Sequence, residues 1–171
     1  HTPDALSKVL QSLRSNYGKN ISLVFGCGGD RDKMKRPLMA KIANQYSRKI
    51  YVTDDNPRNE EPKKIRNVIL KKIDSIKSFN IGDRAKAIKK AILNAERNEV
   101  ILIAGKGHEN QQIYKNKLLN ISDKQIVKNL KLSKKIFLKK NLNYLQNKSI
   151  LKKIKKNINV GNFSGLAIDS R

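Results

Sequence analysis

The sequence has few cysteine and aromatic residues. Its single cysteine, Cys27, excludes an internal disulfide framework and a cysteine-based zinc site, and it suits a reducing compartment, so we expect a cytoplasmic protein. The nine aromatic residues, five tyrosines and four phenylalanines, leave little surface on which single-stranded bases could stack. No apolar run approaches the roughly 20 residues that span a bilayer, so we expect no membrane span.

Acidic residues are also scarce, with 14 against 38 basic residues and a net charge of +24. Such an excess can indicate a nucleic acid or an acidic membrane as partner. However, lysine outnumbers arginine 29 to 9, whereas specific nucleic-acid sites favour the arginine fork. Lys, Ile and Asn, which have AT-rich codons, supply 68 of the 171 residues, so codon bias explains the charge as well. We expect no nucleic-acid partner, and a basic nucleic-acid-binding α/β module stays the alternative. Steep weakening of binding by salt would favour that alternative.

Short apolar segments alternate with segments of helical periodicity over the first 132 residues. Residues 21–25, 49–53 and 100–104 are short and mostly apolar, as buried strands are. Favourable helix starts occur at Pro3, Pro37, Pro62 and Asp83. This alternation predicts an α/β fold with a Rossmann-like, mostly parallel sheet and helices on both faces.

The character of the sequence changes near residue 132. Before it, Ser122 and Gln125 form the pattern of a capping box at the start of a last helix. After it, residues 133–171 contain ten basic residues and one acidic residue, with less regular apolar spacing. We therefore predict an α/β domain at 1–132 and a basic C-terminal extension at 133–171.

Three loops leave the carboxyl ends of the predicted strands, at 26–36, 54–61 and 105–110. Ligands bind at this edge of open parallel sheets. The same loops are the three unusual stretches of the chain, so the pattern and the fold rule predict one site.

The first loop is rich in glycine and charge. Three of its first four residues are glycines, which permit positive φ and close approach of the backbone to a ligand. It matches neither the P-loop nor the dinucleotide fingerprint, so it does not predict a phosphate cradle. A tight strand-to-helix turn accounts for the glycines but not for Arg31, which lies between two aspartates beside the predicted cleft.

The second loop begins with Asp54-Asp55-Asn56-Pro57-Arg58. Pro57 fixes its own φ and biases Asn56 toward an extended backbone. Aspartate and asparagine oxygens can accept hydrogen bonds from an ammonium group, and Arg58 can bind a carboxylate through two hydrogen bonds. The loop therefore suits a zwitterion, although an ordinary Asx-Pro turn gives the same pattern.

The third loop contains Gly105-Lys106-Gly107-His108-Glu109. Glu109 can bind an ammonium group, while His108 either orients its neighbours or lies at the surface. Two distant histidines and one cysteine form no metal-ligand cluster, and the sequence contains no legible nucleophile, histidine and acid arrangement. We therefore predict binding residues in this chain, and no catalytic or metal-binding residue.

Five segments resemble, in order, Mur ligases that add the third residue of the cell-wall peptide. They are 1–6 (HTPDAL), 24–38 (VFGCGGDRDKMKRPL), 53–58 (TDDNPR), 60–62 (EEP) and 104–109 (AGKGHE). Several long motifs in one register are far more specific than any single motif. The resemblance covers about residues 1–131.

The resemblance implies the third, Rossmann-like domain of a three-domain, ATP-dependent, amide-forming ligase of peptidoglycan synthesis. Such enzymes convert the D-glutamate side chain of UDP-N-acetylmuramoyl-L-alanyl-D-glutamate to an acyl phosphate, which the amino group of meso-diaminopimelate attacks. ATP and Mg²⁺ are bound mainly by the central domain. That domain and the N-terminal domain are absent from this sequence, so the resemblance implies a fragment that is inactive alone.

The resemblance also implies the binding residues. In this family, the arginine of GGDR, the DNPR tetrad, and the first glycine and last glutamate of GKGHE bind diaminopimelate. The corresponding residues are Arg31, Asp55, Asn56, Pro57, Arg58, Gly105 and Glu109. The histidine of the HTPD stretch, here His1, lies beside the nucleotide in the family.

The end of the sequence, 163–171 (FSGLAIDSR), resembles the opening strand of a Mur ligase N-terminal domain. Its distance from Ser133 suits the start of a fused second ligase that adds D-alanyl-D-alanine. A basic extension with an accidental match explains these residues equally well. From its own pattern, 159–168 favours a pair of strands.

Overall fold

The computed structural model describes residues 2–130 and 166–169. The helices are α1 (Pro3–Tyr17), α2 (Lys35–Tyr46), α3 (Pro62–Leu70), α4 (Arg84–Leu93) and α5 (123–130). The strands are β1 (Ile21–Phe25), β2 (Lys49–Val52), β3 (Ser78–Asn80), β4 (Val100–Ile103), β5 (Gln111–Tyr114), β6 (Lys117–Asn120) and β7 (Leu166–Asp169). No helix within these described ranges is long and apolar enough to cross a membrane.

The first four strands form a parallel sheet in the order β3-β2-β1-β4, and β7 pairs antiparallel with the outer edge of β4. The predicted α/β class with a Rossmann-like, mostly parallel sheet is confirmed. After β1, the chain moves outward through β2 and β3 and then returns to the other side of β1. The reversal creates a switch point between β1 and β4, where sheets of this kind bind ligands.

Helices cover both faces of the sheet. Every residue of β1 and β4 is buried, which explains why these strands are continuously apolar or nearly so. On one face, Leu23 and Phe25 pack in a core with α1, α2 and α3. On the other face, Val24 belongs to a second core, which includes Ile88 of α4 and Val127 of α5.

The second helix begins at Lys35, two residues before the predicted start at Pro37. Pro37 still lies in the first turn, where its missing N–H costs no helical hydrogen bond. Arg36 belongs to the same turn, and its buried side chain binds Glu60 in the next loop. The sequence pattern alone did not reveal this distant partner.

α5 begins directly after its predicted cap. Ser122 Oγ accepts a hydrogen bond from Gln125 N at 3.4 Å, but the Gln125 side chain donates to Asn129, so only half of the predicted capping box forms. Arg84 of α4 fixes the helix more firmly. Its Nε and Nη2 donate to the two carboxylate oxygens of Asp123 at 2.8 and 2.7 Å, and both residues are buried.

β7 lies beyond the predicted boundary at residue 132. Its pairing with β4 runs from Val100 opposite Asp169 to Ile103 opposite Leu166. Of the predicted strand pair at 159–168, only 166–168 belongs to the described residues, and these form strand. The domain boundary and the origin of the C-terminal segment stay predictions.

The Arg84–Asp123 pair yields a stability prediction. Replacing Asp123 with Ala leaves the buried Arg84 guanidinium without its hydrogen-bonded counter-charge, so we expect the free energy of unfolding to fall by about 3–5 kcal/mol. Urea denaturation of the 171-residue chain measures this change. The control is Lys64→Ala, which breaks the exposed Lys64–Glu61 pair and should cost no more than about 1 kcal/mol. Equal losses in the two variants would contradict the assigned role of Asp123.

Candidate functional site

The three loops meet at a cavity of about 390 Å³ beside the carboxyl ends of β1 and β2. This volume lies in the usual range for small-molecule sites, about 300–1,000 Å³. A second cavity of about 200 Å³ adjoins it beside α1 and the end of β4. Thr2, Gly26, Met39 and Glu109 line both cavities, so the two form one continuous candidate site.

Most of the predicted binding residues come together there. Arg31, Asp55, Asn56, Arg58 and Glu109 line the larger cavity. Gly105 lines the smaller cavity with Glu109, whereas Pro57 is buried and lines neither. His1 lies outside the described residues.

Close backbone contact joins the first two loops. A β-carbon at Gly26 would overlap the Thr53 carbonyl oxygen, and one at Gly29 would overlap the Pro57 carbonyl oxygen. Gly29 N also donates to Asn56 O at 2.8 Å. The glycines are therefore required for contact between the loops, in addition to shaping a turn.

Arg58 has an unusual backbone and a partly engaged side chain. Its φ is +53°, in the left-handed region, and its N–H donates to Ile113 O of β5 at 3.0 Å. Its Nη1 donates to Gly29 O at 2.7 Å. The guanidinium is thus held against the first loop while it lines the cavity, and it keeps further N–H groups for a ligand.

Asn56, Glu109 and Lys106 form a connected polar cluster. Asn56 Nδ2 donates to Glu109 Oε2 at 3.0 Å, and Asn56 Oδ1 accepts from Lys106 Nζ at 2.9 Å. Ile113 N donates to the same Oδ1 at 3.0 Å. The cluster therefore joins the second loop, the third loop and the β5–β6 hairpin.

Asp55 lies directly beneath this cluster and is almost fully buried. Burial raises the pKa of its carboxyl group, while the nearby cations Arg84 and Lys106 act in the opposite direction. Lys106 Nζ lies 3.6 Å from Asp55 Oδ1. Asp55 consequently acts more as a buried counter-charge for these cations than as an exposed ligand group.

A second ion pair fixes the first loop from its other side. Arg36 donates to both carboxylate oxygens of Glu60, at 2.9 and 2.7 Å, and to Gly28 O at 3.0 Å. Glu60 also accepts a hydrogen bond from Asp30 N at 2.8 Å. The hydrogen bonds from Arg36 are the main reason that the pKa of Glu60 falls to about 2.

Arg31 differs from the other two arginines of the site. Its side chain is exposed at the larger cavity, and it makes no hydrogen bond or ion pair with any residue that the structure describes. Asp30 before it has a left-handed φ of +52°, and the Asp30 carboxylate accepts from Asn59 Nδ2 at 2.7 Å. Arg31 is thus presented on a fixed loop with its guanidinium open to a ligand.

The cavity walls contain no activated thiol. Cys27 lines the larger cavity, but burial raises the pKa of its thiol to about 12, so it is protonated at neutral pH. Residues 2–130 and 166–169 also contain no group of three or more His, Cys, Asp or Glu side chains that could hold a metal ion. The arrangement suits binding of a molecule with both charges, through guanidinium groups on one side and amide and carboxylate groups on the other.

Comparison with known protein families identifies the domain. The family described as "Mur ligase, glutamate ligase domain" matches residues 1–107, which include the first two loops and the start of the third. The chain belongs to the Mur ligase family. The first two loops and the start of the third therefore lie within a Mur ligase C-terminal domain.

Individual Mur ligases agree with this assignment. The UDP-N-acetylmuramoyl-L-alanyl-D-glutamate–2,6-diaminopimelate ligase of Buchnera aphidicola subsp. Acyrthosiphon pisum is 51% identical over 131 residues, which are 76% of this chain and 26% of that protein. The corresponding Rickettsia typhi ligase is 48% identical over 130 residues, with 75% and 26% covered. A solved structure of such a ligase has a TM-score of 0.70 at 40% identity, covering 75% of this chain and 27% of that one. The chain spans about a quarter of the length of the curated relatives that it matches.

Two charged residues of this Mur ligase domain were missed by sequence reasoning. Lys106 is one of 29 lysines, and Arg36 lies in a run of basic residues, so neither stands out by type. For Lys106, the sequence does contain a signal in the position of the residue, because it lies between two glycines directly after a buried strand. Its burial also depends on Asn56 and Asp55 of the second loop, which the local pattern does not contain.

The Arg36–Glu60 pair predicts a pH effect. Because folding lowers the pKa of Glu60 from 4.5 to about 2, its stabilising contribution is complete above the unfolded value and is lost as the pH falls toward 2. Between pH 7 and pH 3, the wild-type chain should lose on the order of 2 kcal/mol more unfolding free energy than Glu60→Gln. Urea denaturation at each pH measures the difference.

The matched control is Glu61→Gln, because Glu61 is adjacent and more exposed. This variant should follow the wild-type pH profile. Parallel profiles for the wild type and Glu60→Gln would show that the Arg36 pair does not stabilise the ionised form of Glu60.

Proposed function

We propose that this chain is the amino-acid-binding C-terminal domain of a cytoplasmic, ATP-dependent, amide-forming ligase. The ligase adds meso-diaminopimelate to UDP-N-acetylmuramoyl-L-alanyl-D-glutamate through an acyl phosphate. The observation that carries the proposal is the convergence of the Arg31 and Arg58 guanidinium groups, the Asn56 amide and the Glu109 carboxylate on one cavity of a Mur ligase domain. Diaminopimelate has two ammonium and two carboxylate groups, which match these opposite charges.

In this assignment, the arginines bind the two carboxylates. Arg58 receives the distal carboxylate, which lysine lacks, and Arg31 receives the carboxylate next to the reacting amine. Arg58 is half-buried and already donates to Gly29 O, so a lysine substrate leaves it only partly unpaired. We expect discrimination of about 1.5–3 kcal/mol, the usual contribution of a hydrogen bond to a charged group.

Glu109 binds the ammonium side of the amino acid, and Asn56 holds the Glu109 carboxylate through its Nδ2. Both line the larger cavity, and Glu109 continues into the smaller one beside Gly105. The Glu109 side chain is 41% exposed, so it can accept a ligand without a large rearrangement. Asp55 and Pro57 act through the loop, by countering the buried cations and by meeting the first loop.

ATP and Mg²⁺ do not fit the described part of this chain. These residues provide no cluster of metal-ligating side chains, and the glycines of the first loop do not form a P-loop pattern. We propose that both are bound mainly by a central domain outside this chain, with His1 near the nucleotide. The N-terminal domain would bind the nucleotide-linked peptide.

The 171-residue chain alone should therefore turn over no ATP. A phosphate-release assay with meso-diaminopimelate and UDP-N-acetylmuramoyl-L-alanyl-D-glutamate tests this expectation. Substrate-dependent phosphate release by the purified chain would contradict the proposal that ATP and Mg²⁺ are bound mainly by a central domain.

Arg58 should determine the choice of amino acid in the complete ligase. Arg58→Ala and Arg58→Lys remove the fork, so the KM for meso-diaminopimelate should rise about tenfold or more. Activity with L-lysine should change much less, because lysine has no distal carboxylate. Steady-state kinetics with both amino acids measure the two effects.

Two further variants are the controls for Arg58. Arg31→Ala should impair use of both amino acids, because both carry the carboxylate next to the reacting amine. Arg97→Ala also removes a guanidinium group, but from an exposed turn at the amino ends of the strands. It should alter activity with neither amino acid. Equal losses for diaminopimelate and lysine in Arg58→Ala would reduce Arg58 to a structural residue of the loop.

A further inference from the structure

Lys106 is the one lysine among the described residues whose side chain is fully buried beside the candidate site. Its Nζ lies 2.9 Å from Asn56 Oδ1, 2.5 Å from Gln111 O, 3.4 Å from Glu109 Oε2 and 3.6 Å from Asp55 Oδ1. These acceptors come from the second loop, the third loop and β5. A buried ammonium group requires such partners, so the lysine holds the three segments in one arrangement.

The contact with Asn56 determines the orientation of an amide in the site. Asn56 Oδ1 receives hydrogen bonds from Lys106 Nζ and Ile113 N, so its Nδ2 must point the other way, where it donates to Glu109 Oε2. Lys106 thus acts on Glu109 by two routes. It lies near the carboxylate itself, and it orients the amide that binds the carboxylate.

We propose that Lys106 is a positioning residue for amino-acid recognition, which fixes the Asn56–Glu109 pair without contacting the amino acid. The inference rests on the proposed function, in which Glu109 of this pair binds an ammonium group. It gives Lys106 a role distinct from those of Arg31 and Arg58, which bind the ligand directly.

Positioning and simple electrostatics predict opposite effects. A fixed ammonium group beside Glu109 repels a second ammonium group, so a purely electrostatic Lys106 weakens amino-acid binding. Its removal would then tighten binding. If Lys106 instead holds Asn56 and Glu109 in place, its removal weakens binding, because the acceptor for the ligand is no longer fixed.

The test uses Lys106→Met in the complete ligase, since Met approximates the length of lysine and provides no donor. The KM for the amino acid should rise about tenfold to a hundredfold, while the KM for ATP changes little. The matched control is Lys115→Met, which makes the same change at an exposed site in the β5–β6 turn and should leave both constants unchanged. An unchanged or lower KM for the amino acid in Lys106→Met would overturn the proposal.

Two further variants separate positioning from loss of folding. Asp55→Asn removes the charge that Lys106→Met would leave buried, so the double variant should fold, and its KM should exceed that of Asp55→Asn alone. If Lys106 acts through Glu109, the effects of Lys106→Met and Glu109→Gln on KM should be less than additive. Full additivity, or an equal rise in the KM for ATP, would indicate a general structural role and overturn the proposal.

The outcome remains distinguishable from that of the proposed function. The KM values of the Lys106 variants are measured with whichever amino acid the wild-type ligase uses. A wild type that uses another amino acid would overturn diaminopimelate as substrate while Lys106 is still tested. A wild type that uses none would overturn both inferences.

Discussion

The backbones of residues 26–29 and 53–57 lie against each other with no side chain between them, and the positions of Arg31 and Arg58 depend on this contact. Gly29 donates to the carbonyl of Asn56 and accepts from the Arg58 side chain, so each loop orients the other. A β-carbon at Gly26 or Gly29 would overlap a carbonyl oxygen of the opposite loop and force the two apart. The arginines would then no longer face one cavity. Glycine at positions 26 and 29 is therefore required for Arg31 and Arg58 to face the same cavity.

Pairs of opposite charge hold these loops to the rest of the domain. Arg36 and Glu60 join the first loop to the segment before α3, Lys106 and Asp55 join the third loop to the second, and Arg84 and Asp123 join α4 to α5. Burying such pairs contributes little net stability, because desolvation offsets much of their attraction. We interpret them as determining which segments meet, since an incorrect pairing would leave a buried charge without its partner.

The sheet and the place of the site were predictable because both depend on local patterns. The apolar runs at 21–25, 49–53 and 100–104 gave the central strands, and parallel pairing brings the loops after them to one edge. The charged residues of those loops were therefore expected to lie near one another. Arg31, Asn56, Arg58 and Glu109 do line one cavity.

The conformation of the site was less predictable because it depends on residues far apart in the sequence. Arg58 adopts a positive φ while its N–H pairs with Ile113 O of the hairpin. Lys106 is buried where Asn56 accepts from it, and Arg36 is buried where it binds Glu60 of the second loop. None of these partners lies within one helical turn or one strand of the residue concerned, so local periodicity carries no information about them.

The strand order also imposes an order of assembly. β1 can pair with β2 once residue 52 has been synthesised, but its other edge pairs with β4, where Ile21 lies opposite Val100. Closing so long a loop is entropically costly, so we expect this pairing to form slowly during folding. Until it forms, an apolar central strand has an open edge, which is the kind of surface through which partly folded chains associate. Glu109 follows β4 almost immediately, so the same step that closes the sheet also brings the last acidic group to the cavity.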